Sequence, residues 1–330
     1  MIKAAIIGTG WWGQTLVNSV EGRAMGETGL RFTAAHTRNR GSAAEFCAKT
    51  GLPWVERYDT ILADPAIDAV VLATPPSGHA DMIVQAAEAG KHVFVEKPLA
   101  LTVSEARRAI AAAERAGIVL AVGFNRRFHP SMARLRQALR DGRFGQPVSI
   151  ATEQTALHGL ALQAGAWRAD PAEVPAGPMT AIGVHQVDAL IDLFGPIARV
   201  HARITRRASR VADDTADLLV GFRNGASGHI ACSIVTVQHY RMAVYGTEGF
   251  GEIGGSAMDM FRFVPASGPA ETHEVKGFDM LRGELTAFAA SIAGRRPFPT
   301  PLSEILHGVA VFEAVVRSAR SGQLEDVAET

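Results

Sequence analysis

Ile2-Lys3-Ala4-Ala5-Ile6-Ile7-Gly8-Thr9-Gly10-Trp11-Trp12-Gly13 runs a short apolar strand into a GxGxxG loop at the very start of the chain. Each glycine has its own physical task in such a loop. Gly8 permits the tight turn out of the strand, Gly10 leaves room for a pyrophosphate, and Gly13 lets the following helix pack closely. The start of that helix offers backbone N–H groups and the positive end of its dipole to an anion. Strand, loop and helix together point to a dinucleotide-binding βαβ unit, with Gly8, Thr9, Gly10, Trp11, Trp12 and Gly13 as cofactor contacts. Trp11 and Trp12 either pack against the fold or flank the pyrophosphate and nicotinamide.

The pattern continues outward from this loop. A second strand is expected over 30–35 and a helix over about 41–49. The run Ala69–Ala73 is apolar throughout, as in a strand buried on both faces, and it stops at Thr74-Pro75-Pro76. Helices over 79–89 and 102–116 each end at a glycine, with strands over 92–96 and 119–122 between and after them. Alternation of strand and helix predicts a doubly wound parallel α/β sheet of Rossmann type for residues 1–124. Beyond that, a helix over 131–139 leads through Gly145-Gln146-Pro147 into a strand. Further strand-like runs succeed one another from about 199 to 253. Arg223-Asn224-Gly225 and Thr247-Glu248-Gly249 read as hairpin turns. Two helices, over 282–293 and 303–320, finish the chain. Residues 125–330 therefore read as an α+β domain for substrate binding and oligomerisation, with a large, mainly antiparallel open sheet.

Composition narrows the function classes. The 330 residues are 47 % hydrophobic and 20 % charged, enough for two cores, and the formal net charge is zero. A neutral chain lacks the basic excess of a nucleic-acid surface. Cys47 and Cys232 stand far apart and in no metal-ligand spacing, so they read as reduced thiols, and no metal site is expected. No apolar run approaches the ~18 residues of a membrane span, and no leader is evident, so a cytoplasmic location is expected. Leu218-Leu219-Val220 and Ile230-Ala231-Cys232 read as apolar on both sides of the second sheet. That predicts a cover supplied by another copy, as a homodimer or homotetramer.

The cofactor's phosphate state is encoded after the second strand. An acid usually sits there to bind the adenosine ribose. This chain instead has Ala35-His36-Thr37-Arg38-Asn39-Arg40, with no carboxylate. Thr37 can donate to a 2′-phosphate and Arg38 can clamp it, so NADP(H) is preferred, with NAD(H) as the second option.

Glu96-Lys97-Pro98 ends a strand at the edge where open α/β sheets bind ligands. Together with GTGWWG, ATPPSGHADM, AGKHVFVEKPLALT, VGFNRRFHP, Trp167-Arg168, GVHQVD and VYGTEG, it resembles the glucose–fructose oxidoreductase / inositol dehydrogenase / rhizopine-catabolism (Gfo/Idh/MocA) family. The resemblance spans most of the chain. It implies that Lys97 and His185 are catalytic, and that Thr74, Pro75, His79, Glu96 and Lys97 line the cofactor. It also implies that Asn125, Arg126, Trp167, Arg168 and His185 surround a small-molecule substrate.

One position departs from the family pattern. Ala181 stands where the family has an aspartate four residues before the histidine. Asp188, one helical turn after His185, is a candidate to orient the imidazole instead, and Gln154 and His158 are further polar candidates. The expected chemistry is reversible hydride transfer between nicotinamide and a secondary alcohol or ketone of a sugar, cyclitol or related polyol. Two alternatives stay open: a same-scaffold enzyme for a non-sugar aldehyde, cyclic diol or hemiacetal, and a non-catalytic dinucleotide sensor.

Overall fold

The computed structural model describes residues 1–21, 28–38 and 40–330. Its first strands and helices follow the apolar runs. β1 (Ile2–Ile7), α1 (Trp11–Glu21), β2 (Leu30–His36), α2 (Arg40–Thr50), α3 (Tyr58–Ala63) and β3 (Ala69–Leu72) come first, followed by α4 (His79–Glu88), β4 (His92–Val95), α5 (Val103–Ala116) and β5 (Leu120–Val122). The five strands form one parallel sheet in the order β2-β1-β3-β4-β5. All four residues of β3 are buried, as its unbroken apolar run requires of a central strand. α5 starts with a capping box, in which Thr102 accepts from the Glu105 N–H and the Glu105 side chain returns to the Thr102 N–H. It stops at Gly117, whose φ of 64° needs a residue without a Cβ.

The chain then builds its second sheet. α6 (Pro130–Arg140), β6 (Pro147–Thr155), α7 (Val184–Phe194), β7 (Ile197–Thr205), β8 (Thr215–Phe222) and β9 (Ser227–Ser233) are followed by β10 (His239–Gly246), β11 (Gly249–Gly254), β12 (Met260–Pro265) and β13 (Glu271–Glu274). After α8 (Met280–Ile292) and α9 (Leu302–Ser321), β14 (Glu325–Asp326) closes the edge. The order is β13-β12-β11-β10-β6-β9-β8-β7-β14, antiparallel except for the β6–β9 pair. Both expected hairpins are present: Phe222 and Ala226 pair around Asn224-Gly225, and β10 turns directly into β11.

Two compact units result, one of Met1–Asn125 with Asp279–Ile305, the other of Arg126–Phe278 with Leu306–Thr330. The division differs from a single cut after residue 124, because α8 belongs to the first unit. The reason is its apolar stripe. Leu285, Phe288 and Ala289 are buried in the same core as Ile6, Leu16, Phe32 and Phe94, and the Phe288 and Phe94 rings meet edge to face at 5.7 Å. A helix carrying such a stripe goes where an open apolar surface remains, whatever its place in the sequence.

In the second sheet, alternation is cleaner than the apolar triplets implied. Ala216, Leu218, Val220 and Phe222 of β8 are buried, while Asp217 is exposed and Leu219 is 60 % exposed. Arg199, His201 and Arg203 of β7 and Arg262 of β12 also face outward, so this face is largely polar rather than apolar. Leu219 and Tyr245 are among its exposed large side chains. Among the described residues, no helix is long and apolar enough to cross a membrane, and no cluster of His, Cys, Asp and Glu is arranged to hold a metal.

Candidate active site

Strand register assembles the first half of the site. Ile7 lies opposite both His36 and Leu72, Leu72 lies opposite Val95, and Val95 lies opposite Val122. The residues that follow these strand ends, Gly8, Thr37, Ala73-Thr74, Glu96 and Gly123, therefore leave the sheet side by side at its carboxyl edge. Parallel pairing makes this unavoidable once the register is set.

The glycine loop is shaped by close approaches. Gly8 has φ 100°, and a Cβ there would lie 2.4 Å from the Ala73 carbonyl oxygen. A Cβ at Gly13 would lie 2.0 Å from the Gly8 carbonyl oxygen, so α1 seats directly on the loop. Gly10 meets no protein atom within 4 Å, so the protein itself does not demand glycine there. Trp12 packs against the core, whereas Trp11 is 71 % exposed beside it, ring centroids 5.2 Å apart. Thr9 is buried, so any contact it makes with a ligand comes from its backbone rather than its hydroxyl.

At the end of β2, Thr37 is half-buried and its carbonyl accepts from the Trp54 indole at 3.3 Å, and Arg38 is exposed. Asn39 lies outside the described residues. Thr74 and Pro75 are half-buried at the end of β3. His79 is a correction to the expected cofactor lining. It has no exposed surface, and its ring nitrogens face the Pro98 carbonyl at 2.8 Å and the Thr74 carbonyl at 3.0 Å. A side chain without surface touches no ligand; His79 ties together the loops after β3 and β4 and positions what they carry.

Lys97 is half-buried at the start of the loop after β4, and its bond to Pro98 is cis. Glu96 is buried, and Gly123 makes space for it: a Cβ there would come within 3.0 Å of Glu96 Oε1. Burial raises the Glu96 carboxyl above its ordinary value, opposed by the neighbouring Lys97 charge and the Trp12 indole N–H.

Sequence reasoning missed a second acid in this unit, Glu284 of α8. It is wholly buried, and neither carboxylate oxygen has a hydrogen-bond partner. Burial, followed by the nearby Glu96 and Asp279 charges, pushes its carboxyl well above the usual range. The signal was available. Leu281, Glu284, Leu285 and Phe288 share one helical stripe, which places an acid on an otherwise apolar face.

The second unit gathers the remaining candidates. Arg126 donates to Gln154 Oε1 and lies over the Tyr240 ring, 5.2 Å from its centroid. Asn125, which belongs to the first unit, is buried. Arg127 clamps Asp188 with two nitrogens, Nε at 2.9 and 3.0 Å and Nη2 at 2.7 Å, and both side chains are nearly sealed from solvent. Asp188 thus anchors α7 to the turn around residues 125–128, a role the sequence did not disclose. His185 is buried on α7, one turn earlier. A π-helical turn, Met179–Gly183, leads into α7 and carries the half-buried Ala181. Such turns are uncommon and recur at functional sites. Trp167 and Arg168 stack at 4.1 Å, with Arg168 exposed, and His158 is exposed.

Comparison with known proteins matches this arrangement. Residues 2–124 match the model of an oxidoreductase family with an NAD-binding Rossmann fold, and residues 132–251 match the GFO/IDH/MocA C-terminal domain. The scyllo-inositol 2-dehydrogenase (NAD(+)) of Bacillus subtilis (strain 168) is 29 % identical over 97 % of this chain and 95 % of its own length. Inositol 2-dehydrogenase 1 of Saccharopolyspora erythraea is 31 % identical over 77 % of this chain and 72 % of its own. A solved levoglucosan dehydrogenase, in complex with NADH and levoglucosan, shares the fold over the full length of both chains, with a TM-score of 0.90 at 22 % identity. With both of its units matched, this chain belongs to the GFO/IDH/MocA family of oxidoreductases.

Proposed function

We propose that this chain transfers hydride reversibly between a nicotinamide dinucleotide, NADP(H) preferred, and a secondary alcohol or ketone of a sugar, cyclitol or related polyol. The observation that carries the reading is the alignment of Ile7, Leu72 and Val95, which brings the glycine loop and Glu96-Lys97 to one edge of one sheet. The residues there suit a dinucleotide. Gly8 and Gly13 bring α1 hard against the loop, and Gly10 leaves open space beside the first-turn N–H groups. When bound, the nicotinamide supplies the hydride acceptor.

The remaining chemistry falls to side chains. An alcohol losing hydride must also lose its hydroxyl proton. Lys97, half-buried at the strand end, accepts it, and returns it in the reducing direction. The family resemblance gives His185, on α7 of the second unit, a role in holding substrate or shuttling a proton. Arg126, backed by Gln154 and Tyr240, presents donors to substrate hydroxyls. Turnover of a panel of polyols, sugars and aldehydes, followed by nicotinamide absorbance, tests the reading. Oxidation of secondary alcohols supports it. Activity confined to aldehydes would favour the alternative that Ala181 raises, and no turnover on any class would favour a sensor.

The NADP(H) preference rests on the absence of an acid in residues 35–38 and on the exposed Arg38. Arg38→Ala is expected to weaken NADPH binding about ten- to a hundred-fold, the value of one charge-assisted hydrogen bond, and to leave NADH binding little changed. Fluorescence titration of both cofactors checks this, and a wild type that binds NADH more tightly than NADPH sinks the assignment.

Association of copies through the outward face of the second sheet is part of the same reading, and with that face largely polar it rests on the exposed Leu219 and Tyr245 alone. Light scattering at micromolar concentration is expected to return at least twice the chain mass; a monomer would contradict it.

A further inference from the structure

Glu284 has no role in the reaction just described, yet a fully buried glutamate with two unpartnered oxygens is costly to keep. It lies on α8 within electrostatic reach of Glu96 and Lys97, and Glu96 Oε1 is likewise buried without a partner. Asp279 at the cap of α8 adds a further negative charge, and the Trp12 indole faces Glu96 from α1. Two carboxyls sealed from water beside one another do not both ionise readily, because neither charge is solvated and each repels the other.

We infer that Glu284 is a positioning residue for Lys97: it and Glu96 form a buried carboxyl pair that holds one proton between them, so that the pair presents a single negative charge to the lysine. The inference rests on the acid–base role proposed for Lys97. Its physical content is electrostatic. A second carboxylate beside Lys97 would favour the ammonium form, which has no lone pair with which to accept a hydroxyl proton. The proton held by the pair prevents this. The directions of shift agree, since burial raises both carboxyls and the charge of Glu96 raises Glu284 further.

The test uses Glu284→Gln, which mimics the protonated acid in shape and charge, with Glu284→Met as a second variant should the first not fold. Turnover of Glu284→Gln at neutral pH is expected within about threefold of wild type, because the group is already neutral there. The ratio of variant to wild-type alcohol oxidation should rise with increasing alkalinity, where only the wild type can place a second charge beside Lys97. Stability supplies a readout independent of activity. A carboxyl raised by folding keeps its proton after the unfolded chain has lost it, so its contribution falls as pH rises above the ordinary glutamate range. The denaturation midpoint of Glu284→Gln relative to wild type should therefore climb as pH rises above the ordinary glutamate range. Infrared spectra should show a protonated-carboxyl band in the wild type at neutral pH that the variant lacks. A missing band with a pH-independent stability difference overturns the shared proton. A more than tenfold loss at neutral pH with normal cofactor binding shows that the ionised carboxylate is needed, and also overturns it. Lys97→Met, assayed in parallel, separates the two ideas. If it keeps full activity, the role of Lys97 falls, while the band and the stability trend still judge the pair.

Discussion

Lys97→Ala is expected to lower turnover about 10²- to 10⁴-fold, the usual contribution of a positioned acid–base group, with the cofactor Kd close to wild type. The expectation follows from how little else at the strand end can take a proton. Lys97 is half-buried at the strand end, whereas the neighbouring Glu96 and Glu284 carboxyls are buried away from solvent. His79 spends its ring on two backbone carbonyls. Truncating Lys97 leaves the glycine loop and its close packing untouched, so binding and chemistry should separate. Steady-state rates with the best alcohol substrate, beside fluorescence titration of the cofactor, measure the two effects. A variant that loses binding and turnover in proportion would show that Lys97 holds cofactor rather than moving a proton. His185→Ala should cost less if Lys97 is the principal base.

Arg127→Ala is expected to destabilise the folded chain by about 3–5 kcal/mol, because it strands a buried carboxylate. The Arg127 and Asp188 side chains are 4 % and 6 % exposed, and the clamp uses two nitrogens. Asp192 sits within 3.5 Å of Arg127 as well, and Arg136 grips it from α6, so the loss would spread through a four-residue network. A buried pair is dear to break but not necessarily dear to replace. The double variant Arg127→Met with Asp188→Leu should recover much of the loss. Urea unfolding of the three variants beside wild type decides the matter. A single variant that unfolds at the wild-type midpoint would mean that solvent reaches Asp188 freely. The same network fixes α7, so partial loss of activity in the double variant would register how far the position of His185 depends on it.

The relatives give these experiments a frame. The chain's family includes enzymes named for inositols, which puts polyols first in a substrate panel. Ala181 is the position to watch. It occupies the π-helical turn just ahead of His185, at the position where the resemblance led to the expectation of an aspartate.

Much of the first unit was legible in the sequence because its signals are local. An apolar run such as Ala69–Leu72, stopped by prolines, reads as a buried strand, Gly8 and Gly13 announce a tight loop, and a parallel sheet then places every strand's carboxyl end on one edge. Glu96 and Lys97 needed nothing more to reach that edge. The tertiary structure decided what depends on partners distant in the chain. Arg127 and Asp188 are 61 residues apart, and no local pattern distinguishes a sealed ion pair from two solvated charges. His79 was expected to line the cofactor, and only the tertiary structure closed two loops over it. Glu284 stood on an apolar stripe, but only the return of α8 to the first unit brought it beside Glu96. Periodicity states which face of an element seeks burial. It does not state which surface will cover that face, and it is that cover which removes water and changes what an acid or a base can do.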